Sequence, residues 1–358
     1  MKNKLFSKLF ISLSLVVMFS MATFNYFINP YKVFNHNYFS SYIKTRDHQA
    51  SHRMTLFYSA VYQNPESLLI GTSRMGILPI SEPKKYMPNK LFNMWMPGGT
   101  IEEQTHLIKY MIAKFNIKEI VWSLDFHSFN PELANDPNFS YNRVDPNAIY
   151  KDDYNLALFG YQTTFNSIKT LKDNLKNFKL NHKTTSKQKI EKSLKTKKQT
   201  VTLGNGWDEK VNSISNDEID IQTKKQLIHY PEKYLRYRTF NNPKSIQSNL
   251  TKVEEIINIC KKKNIKLHVY TSPVSQSFLN LYKEIGLQNT FVAWKKDLSK
   301  VTSYTDFCTL NSITKEKYNF LDGSHLKPSL GYLIYARLFH DNSVNIPNDF
   351  GIFIEKKN

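Results

Sequence analysis

The chain has 358 residues, of which 41% are hydrophobic and 14% aromatic, and a formal net charge of +19. This apolar content excludes a disordered chain and suits one large α/β domain or two small ones. The charge does not mark a nucleic-acid binder: Lys dominates, Arg is confined to Arg46, Arg53, Arg74, Arg143, Arg236, Arg238 and Arg337, and no aromatic-interleaved basic stripe occurs.

The chain opens on Lys2, Lys4 and Lys8 and then runs from Leu9 to Phe27 without a charge. At ~1.5 Å per residue such a run nearly spans a ~30 Å hydrocarbon layer. The basic residues before it predict a cytoplasmic N-terminus, with everything after Phe27 exported. A cleaved signal peptide is the competing reading, but the run is long for one and Phe24 to Asn29 is bulky rather than small. The expected organisation is a basic tail (1–8), a transmembrane anchor (9–27), a juxtamembrane lead-in (28–62) and a large domain (63–358) with an insertion at about 131–231.

Strand and helix alternate from residue 63 onward. Ser67 to Ile70 reads as a buried strand that meets a turn at Gly71-Thr72-Ser73-Arg74. Lys90 to Met94 predicts a second strand, followed by Met96-Pro97-Gly98-Gly99-Thr100 and a helix from Ile101 with Glu102 and Glu103 in its first turn. Glu119 to Leu124 predicts a third strand closing on Asp125. The alternation fades through the insertion, where Lys176 to Lys198 is rich in Lys, Asn, Thr and Ser. It resumes with a helix from Lys244 whose Ile246, Leu250, Val253, Ile256, Ile257 and Cys260 share a face, then a strand from Ile265 to Tyr270, helices around Leu279 and Trp294, and a last helix from Pro328 to Phe339. Strands separated by helices predict an α/β fold with a mainly parallel sheet, whose chemistry gathers at the carboxyl ends of the strands.

Ser73, Gly98 and Asp125 fall at such ends. A serine hydroxyl becomes a nucleophile when a base takes its proton and preorganised donors hold the oxyanion. Ser73 offers the hydroxyl and its own N–H, Gly98 an N–H without a side chain in the way, and Asp322 with His325 a carboxylate three residues from an imidazole. No His/Cys spacing suggests a metal and no Gly-rich phosphate loop occurs, so no cofactor is expected. Cys260 and Cys308 could form one bridge or stay as buried thiols.

In order and place, these motifs resemble the SGNH hydrolase superfamily. Ser73 in Gly-Thr-Ser-Arg matches its block I, Gly98 in Met-Trp-Met-Pro-Gly-Gly-Thr its block II, and Asp322 with His325, followed by Lys-Pro-Ser-Leu-Gly-Tyr, its block V. Asn25-Tyr26-Phe27-Ile28-Asn29-Pro30-Tyr31, Ser123-Leu124-Asp125-Phe126-His127-Ser128-Phe129-Asn130 and Tyr270-Thr271-Ser272-Pro273-Val274 also resemble the membrane-anchored SGNH proteins of bacterial cell-envelope loci, relatives of the D-alanyl transfer protein and of the alginate O-acetylation factors. The resemblance implies a doubly wound, flavodoxin-like sheet in a three-layer α/β/α arrangement. It also implies a single-pass protein of the bacterial inner membrane with a periplasmic Ser73-His325-Asp322 triad and an oxyanion hole at Ser73 and Gly98. The implied function is an esterase or O-acyltransferase for acyl, chiefly acetyl, esters of an envelope glycan, partnered with a multi-spanning membrane acyltransferase.

Block III departs from the family, since Ser-Leu-Asp-Phe replaces the usual Gly-x-Asn-Asp. An ionised Asp125 would repel an oxyanion, so it is expected to pair with Arg74; alternatively Arg74 holds an anionic substrate group. His127 is either a packing histidine or a donor to substrate. The altered block also admits a catalytically silent protein that keeps the fold and binds glycan or a membrane partner.

Overall fold

The computed structural model describes residues 2–36, 38–39, 43, 51–148, 150–183, 201–202, 206–207, 214–235 and 239–357. In chain order the elements are α1 (Lys2–Ile28), α2 (His52–Gln63), β1 (Ser67–Gly71), the one-turn α3 (Ser73–Gly76), β2 (Leu91–Trp95), α4 (Ile101–Lys114), β3 (Glu119–Leu124), α5 (Asp152–Phe159), α6 (Tyr161–Lys183), the short β4 (Val201–Thr202) and β5 (Gly206–Trp207), α7 (Asn216–Tyr230), α8 (Gln247–Lys262), β6 (Lys266–Thr271), α9 (Gln276–Glu284), α10 (Gln288–Val301), β7 (Tyr304–Asp306), α11 (Ser312–Lys315), α12 (Gly331–Leu338) and β8 (Ile352–Ile354). They form two compact units, Met1–Tyr62 with Asn147–Thr200, and Gln63–Pro146 with Val201–Asn358. The segment 131–231 is therefore shared between the units.

In the first unit, Lys4–Ile28 of α1 is long and apolar enough to cross a membrane. Its residues from Lys4 to Ser20 are exposed, whereas Ala22, Asn25 and Ile28 are buried. The burial comes from α5 and α6, which pack on α1. Asn25 fixes them: its Nδ2 donates to Leu158 O at 2.9 Å and to Thr164 Oγ1 at 2.8 Å, while its Oδ1 accepts from Ser167 Oγ at 2.9 Å. The lead-in 28–62 contains most of α2, whose His52–Ala60 are buried. Of the Lys-rich run 176–198, the part to Lys183 continues α6 and the rest lies outside the described residues.

The second unit carries a six-stranded sheet in the order β2-β1-β3-β6-β7-β8. Its first five strands are parallel, and β8 returns antiparallel to β7. β1, β2 and β3 are buried along their whole length, the condition under which a parallel strand reads as a continuous apolar run rather than an alternation. The chain leaves β1 toward β2 on one side and returns to β3 on the other, so the order reverses at β1. In open parallel sheets a crevice opens beyond such a reversal.

Side chains fix the helices to this sheet. A capping box of Thr100 and Glu103 starts α4, and Gln104 one residue further accepts from Trp122 Nε1 of β3 at 2.7 Å. Leu69, Val121 and Tyr270 of the sheet join a cluster with Met75, Leu333, Ile334 and Tyr335. The helix expected over 328–339 is split: a 3₁₀ turn at Pro328–Leu330 precedes α12. A Cβ at Gly331 would come 3.1 Å from Leu78, so the chain passes close to the core at the break. Cys260 and Cys308 are both buried and free, which resolves the alternative left by the sequence.

Candidate active site

The end of β1 is shaped by Gly71, where a Cβ would lie 2.4 Å from Ser123 Oγ of β3; glycine lets the two strands close at this point. Thr72 then caps α3 by accepting from the Arg74 N–H at 3.3 Å. This turn presents Ser73 at the first helical position, partly exposed, where its N–H has no intrahelical partner.

Ser73 meets residues some 250 positions away. His325 Nε2 lies 2.8 Å from Ser73 Oγ, and His325 Nδ1 lies 2.9 and 2.8 Å from the two oxygens of Asp322. Asp322 is itself fixed, since its Oδ1 accepts the N–H groups of Ser324 and His325 at 3.0 Å each. Burial works against its ionisation, but the His325 ring and these donors outweigh it and hold the carboxyl below its usual range. An ionised Asp322 keeps the proton of His325 on Nδ1, leaving Nε2 as the acceptor for the serine proton.

A second buried cluster lies one residue along the chain. Arg74 is 5% exposed and all its nitrogens are engaged. Nε donates to Ser324 O at 3.1 Å, Nη2 to Ser324 Oγ at 3.1 Å and Tyr230 Oη at 3.0 Å, and Nη1 to His127 Nδ1 at 3.3 Å. Nη1 also faces Asp125 Oδ1 at 3.2 Å, a charge contact rather than a hydrogen bond, because Oδ1 accepts none. Thr72 Oγ1 donates to the other Asp125 oxygen. Burial opposes charge on both Arg74 and Asp125, yet each is held in its ionised form, the arginine by Tyr230 and Asp125, the aspartate by Arg74 and Thr72. Arg74 thus points inward and ties the serine turn to the Asp322–His325 turn; it does not face an open pocket.

Gly98 has φ +59°, in the left-handed region, and a Cβ there would lie 2.8 Å from Tyr234 Oη. The adjacent turn is stitched to the end of β3, because Ser128 Oγ donates to Gly99 O at 2.6 Å. His127, in the 3₁₀ turn Phe126–Phe129, is 3% exposed and packs edge-on to Tyr234 with ring centroids 5.1 Å apart. Burial, Arg74 and His325 push its imidazole down to about 3 against the pull of Asp125, so it is neutral.

Ser73, Asp322 and His325 are brought together, while Arg74, Asp125 and His127 form the adjoining cluster. Tyr230, Tyr234 and Ser324 were not singled out by sequence. Tyr230 and Tyr234 belong to α7 and the π-helical turn Pro231–Leu235 after it, Tyr230 inside the segment 131–231 expected to be an insertion and Tyr234 just beyond it. Two tyrosines four apart on one helix face were the available signal. Among the described residues no His/Cys/Asp/Glu group is arranged to hold a metal. No protein-family model matches the chain, and no curated protein matches it.

Proposed function

We propose that the chain is a membrane-anchored serine esterase or O-acyltransferase of the SGNH type, acting on acyl esters, chiefly acetyl, of a cell-envelope glycan. One observation carries this reading: the unbroken relay from Ser73 Oγ through His325 to a carboxylate fixed by two backbone donors. The strand order and the helices packed on the sheet fit a doubly wound, three-layer α/β/α architecture.

In the first half-reaction His325 Nε2 takes the Ser73 proton as Oγ attacks the ester carbonyl carbon. The N–H groups of Ser73 and Gly98 hold the resulting oxyanion. Collapse breaks the bond to the alcohol, which leaves with the proton from His325, and the acyl group remains on Ser73. In the second half-reaction water or a sugar hydroxyl gives its proton to His325 and attacks the acyl carbon, which restores Ser73 and releases acid or a new ester. Helix α1 would hold the catalytic unit on the outer face of the inner membrane, within reach of a multi-spanning acyltransferase that delivers acyl groups; this favours transfer over hydrolysis.

The test uses the full-length protein in detergent, with a fluorophosphonate probe and p-nitrophenyl acetate. Wild type is expected to label and to turn over, with neither in Ser73→Ala. Equal behaviour of wild type, Ser73→Ala and His325→Ala would remove the proposal. A short glycan acceptor then separates the two outcomes, since ester on the glycan marks a transferase.

A further inference from the structure

Helix α6 is built inside out. Thr163, Asn166, Ser167, Thr170 and Asn174 on its inward face are buried. Four of them bond within the unit: Asn166 Nδ2 donates to Tyr31 Oη at 2.7 Å, Ser167 Oγ to Asn25 Oδ1 at 2.9 Å, Thr163 Oγ1 to Leu156 O at 2.7 Å and Asn174 Nδ2 to Thr170 O at 2.8 Å. The outward face carries Tyr161, Phe165, Ile168 and Leu175, which are 84, 54, 41 and 51% exposed. A helix against water has the reverse arrangement. Leu156 and Phe159 of α5 extend the apolar face at 47 and 39% exposure.

The level of this face along α1 identifies what covers it. Asn25, which grips α5 and α6, is 17 residues beyond Lys8, the last charge before the apolar run. At ~1.5 Å per residue that is ~26 Å, near the outer edge of a ~30 Å hydrocarbon layer. Exposed Lys176 borders the apolar stripe of α6, and exposed Lys172 falls on it one turn beyond Ile168, where the apolar stem of the side chain can stay in the acyl boundary while the ammonium reaches the headgroups. We infer that the apolar face of the α5–α6 elbow is immersed in the outer lipid boundary of the bilayer, so that the chain meets the membrane through a second helix besides α1. The inference rests on the proposed insertion of α1.

The test places a spin label in the full-length protein in lipid nanodiscs containing no other protein, at Phe165→Cys, Ile168→Cys, Val17→Cys and Leu310→Cys in turn. Cys260 and Cys308 are buried, and labelled wild type controls for them. Collisions with oxygen relative to those with an aqueous nickel chelate are expected to be several-fold higher at 165 and 168 than at 310, and close to those at 17. Water-like values at 165 and 168 with a lipid-like value at 17 overturn the inference and leave the anchor standing. A water-like value at 17 overturns both.

A separate observation concerns His127. The Arg74 guanidinium can only donate, so its bond to Nδ1 makes that nitrogen the lone pair. Tyr230 Oη, which already accepts from Arg74, donates its proton to the same nitrogen at 2.7 Å. The one proton of the neutral ring is therefore on Nε2, and Nε2 is buried without a hydrogen-bond partner among the described residues. A buried donor left without a partner keeps its full desolvation cost and requires an explanation. The ring lies between Arg74 and Tyr234, beside the stitched Gly98-Gly99 turn.

We propose that His127 Nε2–H is the third oxyanion donor, taking the place of the asparagine that block III lacks. This deepens the esterase reading and rests on it. His127→Asn keeps an acceptor at the Nδ1 position and removes the Nε2 donor; His127→Gln returns an amide N–H near Nε2. With p-nitrophenyl acetate, His127→Asn is expected to lower kcat by ~10²–10³-fold at unchanged KM, with at least a tenfold recovery in His127→Gln. Imidazole ¹⁵N spectra of the full-length protein are expected to show the Nε2–H tautomer at His127. Wild-type kcat in His127→Asn, or an Nδ1–H tautomer, overturns the proposal while the triad stands. A wild type that does not turn over removes the esterase reading and this role together.

Discussion

The guanidinium of Arg74 and the carboxylate of Asp125 face each other at 3.2 Å with side chains only 4 and 1% exposed. One is the neighbour of the proposed nucleophile and the other directly follows the last residue of β3. Asp125 therefore serves the site through Arg74, which in turn bonds Ser324 inside the turn that holds Asp322 and His325.

Breaking this pair should be costly, because the surviving charge stays buried. Asp125→Asn and Arg74→Met are each expected to destabilise the protein by about 3–5 kcal/mol, read as a lowered thermal midpoint. The double variant Arg74→Met/Asp125→Asn is expected to lose less than the sum of the two. An unchanged midpoint in Asp125→Asn would show that the charge pair is dispensable.

Asp322→Asn tests the relay apart from the fold. The asparagine oxygen can still accept the two backbone N–H groups, but its amide presents a donor to His325 Nδ1 and favours the wrong tautomer. Turnover of p-nitrophenyl acetate should fall ~10⁴-fold with little change in thermal midpoint. Retention of most activity would remove Asp322 from the relay.

The three local motifs were legible because each is a strand or helix terminus whose chemistry is written in consecutive residues: Gly71-Thr72-Ser73-Arg74, Gly98-Gly99 and Asp322-Gly323-Ser324-His325. Four of the five parallel strands, β1, β2, β3 and β6, were legible as short apolar runs; the three-residue β7 was not, since it is too short to show one. Tyr230 was not, because its value lies in where α7 carries it, against Arg74 and His127 from 156 and 103 positions away. The α5–α6 elbow was equally hidden. A helix with a polar inner face has no periodicity that separates it from a solvated, Lys-rich excursion, and only packing on α1 shows which side is inside.

Stability should depend on pH through His127. Its native imidazole titrates at about 3 and an unfolded one at ~6.5, so between these values the unfolded chain takes up a proton that the native protein refuses. Stability therefore falls as pH drops from ~6.5 toward 3. Asp322 and Asp125, held below the usual carboxylate range, lose their contribution only below ~4. Thermal midpoints at pH 6.5, 5.5 and 4.5 should decline in wild type and decline less in His127→Asn. Parallel profiles would assign the acid sensitivity elsewhere.

The orientation of α1 has its own readout. A phosphatase fused after Phe34 is expected to be active, since the proposed topology carries that point out of the cytoplasm. An inactive, stably expressed fusion would reverse it.

The two unbridged cysteines bear on how such a protein matures. Both thiols are shut away, and burial raises Cys260 to about 11 and Cys308 to about 12, so neither offers a thiolate to an oxidant near neutral pH. The native state is complete as soon as the chain collapses, with no oxidation step to await. Reductant should leave its melting unchanged, and its biogenesis is independent of the redox poise of the compartment that receives it.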